Sequence, residues 1–517
     1  MDGSWRPRTR QGLVSFGVTQ GMPGQGPVLS PGVRLRPELA DVGRLWRRLA
    51  RQVLGAARAD EAPSLPRVLV EHLGPQVGEL PVVGDAWPPY EHVNLQMALD
   101  HWLSAQGRSH QLIGITGFQN RMFSLADLSQ PMTVMHGPGI GSVAFESVAC
   151  GPDGQTLSCV RCGLYLVDDD GQRLAVLFRE EAQHGPRGRG GIAIEVLCPN
   201  PARGSEVLQE LRDLALRQNV FRGQILSFDR EMFGPGSGLL RFLERPQLRE
   251  DDLVLPEGTL ELTERQVLGV AVHRERLRRS GQHLKRGVLL HGPPGTGKTY
   301  TVRYLLSRSE GTTVILLSGP ALGMISQACS IARALQPSII VVEDVDLIAE
   351  QRGMHPGQHP LLFQLLNEMD GLTPDVDVAF ILTTNRPDLL EPALADRPGR
   401  VDQAVEIPLP DAGARRRLIE LYRGNLRLDG AETGPAVERT EGVTASFIKE
   451  LLRRAALIRA ETDGAGTGAI TLTNEDLAAA LDQLLDEGNR LTRVLLGGAG
   501  PTTPSATPPR PGLTGMG

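Results

Sequence analysis

Two short stretches of this 517-residue chain carry residue types that do chemistry when spaced as they are here. Val288 to Tyr300 reads VLLHGPPGTGKTY: an apolar run, then Gly292, Pro293, Pro294, Gly295, Thr296, Gly297, Lys298 and Thr299, a complete G-x-x-x-x-G-K-[ST]. Glycine at such positions lets backbone N–H groups turn inward onto a phosphate, and the start of a following helix adds partial positive charge. On this reading Lys298 reaches the outer phosphates of a nucleotide, the Thr299 hydroxyl ligates Mg2+, and Tyr300 completes the binding segment. The bland alternative, a glycine-rich turn with a stray lysine, fits the strand–loop–helix context poorly.

The second stretch, Ser338 to Leu347, reads SIIVVEDVDL. Mostly β-branched residues run straight into Glu343 and Asp344, with Asp346 just beyond. Such a run in a parallel sheet is buried on both faces, and its C-terminal end meets the ligand crevice. Both carboxylates therefore arrive where a metal and a water would sit. Another apolar run, FILTTNRPD, ends in Thr384 and Asn385, and the following LEPALADRPGRVD holds Arg397 and Arg400 three residues apart.

Together GPPGTGKT, PSIIVVEDVD, LLNEMDG, TTNRPDLLEPAL and RPGRVD resemble the AAA ATPase module, including its second region of homology. The resemblance spans about residues 259–490 and implies an α/β fold: a P-loop AAA+ core with a parallel sheet, plus a small helical lid. It also implies ATP and Mg2+ as ligands and a homo-oligomeric ring, usually hexameric. Within it Glu343 matches the acid that orders Mg2+ with Thr299, and Asp344 the acid that polarises water. Asn385 matches sensor 1. Arg397 and Arg400 match the arginine fingers, which act on the neighbouring subunit's phosphate and are worth about 10³–10⁵ in rate.

The Glu-Asp order inverts the family's usual Asp-Glu. Each carboxylate must shift by about 1.5 Å, one C–C bond, and a misplacement of about 1 Å costs on the order of a hundredfold. The same order resembles the branch that includes the mitochondrial Rieske-protein translocase, whose members hydrolyse ATP. With Asn385, Arg397 and Arg400 all present, the expectation is slow hydrolysis rather than none.

The rest of the chain must position and employ this site. Residues 1–35 are rich in Gly, Pro and Arg and are expected as a disordered arm. Residues 36–225 are expected as a separate mixed α/β N-terminal domain that binds a substrate or partner, opening on a helix through Leu39, Val42, Leu45, Trp46, Leu49 and Val53. Within it HVNLQMALDHWLSAQG reads as a helix, while SCVRCGLYLV, QRLAVLFREE and GIAIEVLCPN read as strands, the first two joined by the turn DDDGQ. A further helix has Ser205 as its expected N-cap, and GPGIG at 137–141 is expected as a loop. Residues 226–258 read as a linker, 259–410 as the large α/β subdomain, 411–490 as the small helical one, and 491–517 as a disordered tail.

Composition narrows what the assembly does. Net charge is −6 and pI about 6.1, which disfavours nucleic acid as a partner, although residues 1–60 hold ten Arg against four acids. No apolar run reaches membrane-spanning length, so a cytoplasmic protein is expected. The interval GPALGMISQACSIARALQ lacks the aromatic pore loop of threading unfoldases, leaving Met324-Ile325 as its only apolar candidate. No H-E-x-x-H occurs, His355 and His359 bracket a Pro-Gly, and the closing LTGMG lacks the tail of proteasome-docking ATPases. Cys150, Cys159, Cys162 and Cys198 allow a zinc site in principle, but burial in strands fits their spacing better. The lid carries Ala445-Ser446-Phe447 where the family has Gly-Ala-Asp, leaving its nucleotide contacts unassigned. The leading expectation is an ATP-hydrolysing ring that remodels an unidentified protein client. The alternative is a nucleotide-gated switch or scaffold with little turnover.

Overall fold

The computed structural model describes residues 64–485 apart from 119–122, 131–137, 182–190, 229–239, 348–359, 391–399, 429–432 and 465–467. The expected arm, the first helix, His355, His359, Arg397 and the tail lie outside the described residues. From Ser64 onward the chain forms one compact unit.

Its first layer is a seven-stranded sheet of order β1-β7-β6-β5-β2-β3, with β4 also pairing β5. The strands are β1 (Val82–Trp87), β2 (Arg108–Thr116), β3 (Gly139–Gly141), β4 (Ala144–Ala149), β5 (Thr156–Asp169), β6 (Gln172–Glu181) and β7 (Gly191–Leu197). The DDDGQ turn joins β5 to β6 as expected. Asp170 at φ 50° and Gly171 at φ 83° supply the two left-handed residues that a two-residue hairpin loop demands. GPGIG departs from expectation, because Gly139–Gly141 pairs antiparallel with Gly114–Thr116.

The central strands β5, β6 and β7 are buried on both faces, so β5 reads as an almost unbroken apolar run. Tyr165 and Val167 pack under helices α2 (His92–Leu103) and α3 (Pro201–Arg217). Leu164 and Leu166 pack under α1 (Leu65–Leu73) on the other face. Helix α3 starts before Ser205. The Asn200 side chain accepts the Ala202 N–H at 3.0 Å and Pro201 opens the helix, a stronger start signal than Ser205 provides. Cys159, Cys162 and Cys198 fall in three different apolar clusters, so they do not converge on a common metal. Burial pushes the Cys159 and Cys162 thiols up to about 12.

The second layer is a sheet of order β14-β10-β13-β12-β11-β8-β9. Strands β8 (Ile225–Phe228), β10 (Arg286–His291), β11 (Thr313–Leu317), β12 (Ser338–Val342), β13 (Val378–Thr384) and β14 (Gln403–Glu406) run parallel, and β9 (Leu240–Leu243) turns back on β8. Residues 226–258 are therefore not simply a linker: most of β8 and all of β9, the two strands at one edge of the sheet, come from this region. Four residues each, these strands are too short for a periodic signal. Around the sheet lie α4 (Lys298–Ser307), α5 (Ile325–Ala334) and α6 (Pro360–Asp370).

The two layers share one apolar cluster. Tyr90, Val93, Leu157 and Cys159 belong with Phe221, Phe228 and Leu322, and Asn94 Oδ1 accepts the Val220 N–H at 2.9 Å. The expected separate N-terminal domain is thus joined to the second sheet through a common core. A helical region follows, with α7 (Ala412–Tyr422), α8 (Thr433–Arg439), α9 (Ala445–Asp463) and α10 (Asn474–Leu485) enclosing their own cluster around Phe447 and Leu451. No helix among the described residues is long and apolar enough to cross a membrane.

One buried ion pair pins the start of β10. Arg286 donates to Asp377 at 2.7 Å and also to the Val267 and Leu284 carbonyls. Replacing Asp377 with Ala leaves that guanidinium buried beside an empty place. Asp377→Ala is expected to lose about 3–5 kcal/mol, measured by urea unfolding.

Candidate active site

The site is assembled where β10, β12 and β13 end. After His291 the chain turns through Gly292, Gly295 and Gly297 at φ 144°, 78° and 115°, conformations that side-chain-bearing residues rarely adopt. Gly292 is further constrained because a Cβ there would collide with the Ile407 carbonyl oxygen. Helix α4 then opens at Lys298. Lys298 Nζ donates to the Gly292 and Pro293 carbonyls at 2.8 Å, and the Thr296 hydroxyl donates to Pro293 O at 2.9 Å. Burial lowers the Lys298 amine to about 8, against the opposing pull of Asp344 and Asp346.

The acids emerge from a fully buried strand, β12. The Glu343 N–H still bonds across to Leu317 O of β11 at 3.0 Å, whereas the Val345 N–H bonds to Thr383 O of β13 at 2.9 Å. Between them Asp344 takes a left-handed φ of 52°. Its own N–H donates to the Thr383 hydroxyl at 3.0 Å. The Glu343 carboxyl is raised by burial, while a hydrogen bond from the Thr299 hydroxyl draws it down. Asn385 Nδ2 donates to Asp344 Oδ1 at 3.3 Å. Lys298, Thr299, Glu343, Asp344 and Asn385 therefore share one crevice, as their spacing implies.

Left-handed backbone explains the order of the acids. Asp is several-fold enriched among the non-glycine residues found there, because its short polar side chain tolerates that conformation. The longer Glu occupies the extended position and reaches Thr299. Asp346, whose role the spacing did not reveal, lies buried behind the pair and accepts from Thr384 and Asn385. The available signal was a third acid two residues after the pair.

Beside the loop a cavity of about 800 Å3 opens between the sheet and the helical region, walled by Leu253, Leu255, Ile407, Leu409, Leu418 and Ala445 and, in equal measure, by polar groups that include Glu257, Glu261, Asp411 and Arg417. Such mixed walls suit a flat ring with polar edges, and Thr296 connects the cavity to the phosphate loop. The Ser446 N–H donates to Gly295 O at 3.2 Å, so the helical region touches the loop directly. Of the unassigned triplet, Ala445 lines the cavity, Ser446 holds the loop, and Phe447 is buried in the helical core.

Residues 288–409 match the sequence model of the family described as ATPase family associated with various cellular activities (AAA). The chain is 36% identical over 223 residues to the ATP-dependent zinc metalloprotease FtsH 2 of Sphaerobacter thermophilus, covering 41% of this chain and 33% of that protein. It is 30% identical over 267 residues to the proteasome-activating nucleotidase of Thermococcus onnurineus, covering 48% and 65%. Residues 288–409 are thus similar to the AAA ATPase module, and the similarity to both relatives includes it. It spans between one-third and two-thirds of the length of these relatives.

Two further positions within residues 288–409 are placed by packing. Arg400 does not face outward as a finger would: it is 1% exposed and clamps Asp370 of its own chain through Nε at 2.8 Å and through Nη2. The packing is tight, since a Cβ at Gly287 would meet the Arg400 carbonyl oxygen. Met324-Ile325 does not protrude either. Gly319–Met324 forms a 3₁₀ turn leading into α5, Ile325 is fully buried, and Met324 packs against the core.

If Arg400 acts through Asp370, Arg400→Ala and Asp370→Ala will each lower the unfolding free energy by about 1–3 kcal/mol, measured by urea unfolding, and the double variant will add little. A strictly additive double variant would contradict that pairing. Lys298 sets a second expectation. A bound phosphate raises its pKa above the free value of about 8, so binding takes up a proton wherever the free amine has lost one. Affinity for a nucleotide analogue is flat below pH 7 and then declines as pH rises through 8, approaching tenfold per unit, as titration calorimetry at several pH values would record.

Proposed function

We propose that this chain binds ATP with Mg2+ and hydrolyses it slowly to ADP and phosphate. The observation that carries this reading is the crevice in which Lys298 and Thr299 face Glu343, Asp344 and Asn385. The loop amides and Lys298 would hold the triphosphate, and the cavity would take the adenine. The Thr299 hydroxyl and Glu343 carboxyl already meet, and such hard oxygen donors fit a magnesium ion. When bound, Mg2+ supplies Lewis-acid polarisation of the phosphoryl oxygens. Asp344 accepts a proton from the attacking water, and Asn385 fixes where that carboxylate points.

The active form is a homo-oligomeric ring, a hexamer by analogy with the family. Because Arg400 is engaged with Asp370, the contribution in trans falls to Arg397. The N-terminal sheet selects a protein client, and ATP-driven movement remodels or disassembles it. Burial of Ile325 supports remodelling without threading through a central pore.

Phosphate release tests the reading. Lys298→Ala is expected to abolish turnover, and Asp344→Asn to lower it on the order of a hundredfold or more, while sizing with ATP reports the ring. Restoring the family's order with Glu343→Asp plus Asp344→Glu is expected to reduce turnover further, since a Glu in the left-handed turn adds about 1–3 kcal/mol of strain. The alternative, a nucleotide-gated switch, draws on the bond by which Asn385 already occupies an Asp344 oxygen. It prevails if wild type releases phosphate no faster than Lys298→Ala.

A further inference from the structure

Asp346 is not one of the residues through which a nucleotide or its metal is held, yet it is 7% exposed at the end of the acidic turn. A carboxylate this deeply placed is costly unless its oxygens are bonded. Its Oδ1 accepts twice, from the Thr384 hydroxyl at 2.9 Å and from the Asn385 N–H at 3.2 Å. The Thr384 hydroxyl in turn accepts the Arg386 N–H at 2.9 Å. Thr384, which ends β13, and Asn385 after it therefore hang from one carboxylate oxygen, and Arg386 follows through the Thr384 hydroxyl. From that fixed turn the Asn385 side chain extends to Asp344.

We infer that Asp346 is a positioning residue for hydrolysis: it sets the turn that aims Asn385 at Asp344, without itself touching the nucleotide. The inference rests on the hydrolysis reading for its effect on rate, but its geometry stands on the protein alone. Its role is distinct from a structural cap because the bonds converge on Thr384 at the end of β13 and on Asn385, the residue whose side chain meets Asp344. Losing them moves the Asn385 amide relative to the acid while leaving the phosphate loop and its lysine in place. The cost should therefore appear in kcat rather than in binding.

The discriminating set is Asp346→Ala, Asp346→Asn and Thr384→Val in the full chain, with Lys298→Ala as reference. Asp346→Asn keeps an acceptor oxygen and should stay within about threefold of wild type. Asp346→Ala should lower kcat roughly ten- to a hundredfold, with the dissociation constant for a non-hydrolysable ATP analogue changed less than about threefold. Thr384→Val should fall between them, and it carries the test if Asp346→Ala does not fold. Amide hydrogen exchange across residues 380–390 of the nucleotide-free protein gives a second readout, with protection lost in the Ala variant and kept in the Asn variant. Unchanged kcat and unchanged exchange in Asp346→Ala would overturn the inference, as would equal losses in the Asn and Ala variants. A wild type without turnover would instead sink the hydrolysis reading, and exchange alone would then decide the role of Asp346.

Discussion

The site depends on a change of hydrogen-bonding partner that lasts two residues. Strand β12 lies between β11 and β13, and its continuation must serve both: Glu343 donates to β11 at Leu317, and Val345 donates to β13 at Thr383. In an extended strand the N–H groups of residues i and i+2 point to the same side, so sending those of Glu343 and Val345 to opposite neighbours requires the residue between them to leave extended backbone. Asp344 does so at φ 52°. The turn points one acid at the phosphate loop and the other at the sensor strand. The identity of the second acid follows from the backbone it must adopt, not from the length of its reach alone. An inverted pair that looks like damage when judged by side-chain length is consistent once the backbone is included.

The same parallel register sets the distances among groups that lie far apart in the chain. Val288 pairs with Ile381 and Ile339 pairs with Ala379, so the ends of β10, β12 and β13 are brought level by backbone bonds. Parallel strands buried on both faces cannot slip without exposing their side chains or abandoning their ladder. Lys298, Glu343 and Asn385, which are 87 residues apart from first to last, are then held at the ends of three paired, buried strands. Arg286 and Asp377 fasten the opposite end of the same strands.

How far all this could be read from the sequence varies with the kind of signal. The phosphate loop was legible because its glycines must adopt left-handed angles, and that need is written in residue type. The buried strands were legible from β-branched runs, and the β5–β6 hairpin from Asp-Gly. Strands β8 and β9 were not, since four residues carry no usable period and their partners lie some ninety residues downstream or across a turn. The direction of Arg400 is not legible, because motif position indicates a role but not a direction, and only packing shows the guanidinium turned inward onto Asp370. Asp346 escaped for the opposite reason: its acid was visible, but its partners, Thr384 and Asn385, sit on another strand.

The helical region bears on the site through a short extended segment. Leu253 and Leu255 pack into the core of the second sheet, while Val254 between them packs into the helical core. An extended chain sends alternate side chains to opposite faces, so three consecutive residues tie the two cores together at the wall of the cavity. Arg417 adds a bond from α7 to the Leu255 carbonyl at 3.3 Å. Any rotation of the helices relative to the sheet must therefore shear 253–255, and a ligand filling the cavity resists that shear. Upstream, the same segment leads back to β9, β8 and the apolar cluster shared with the N-terminal sheet. The wall of the cavity is thus linked through Leu253 and Leu255 to the second sheet, and through β8 to the apolar cluster shared with the first layer.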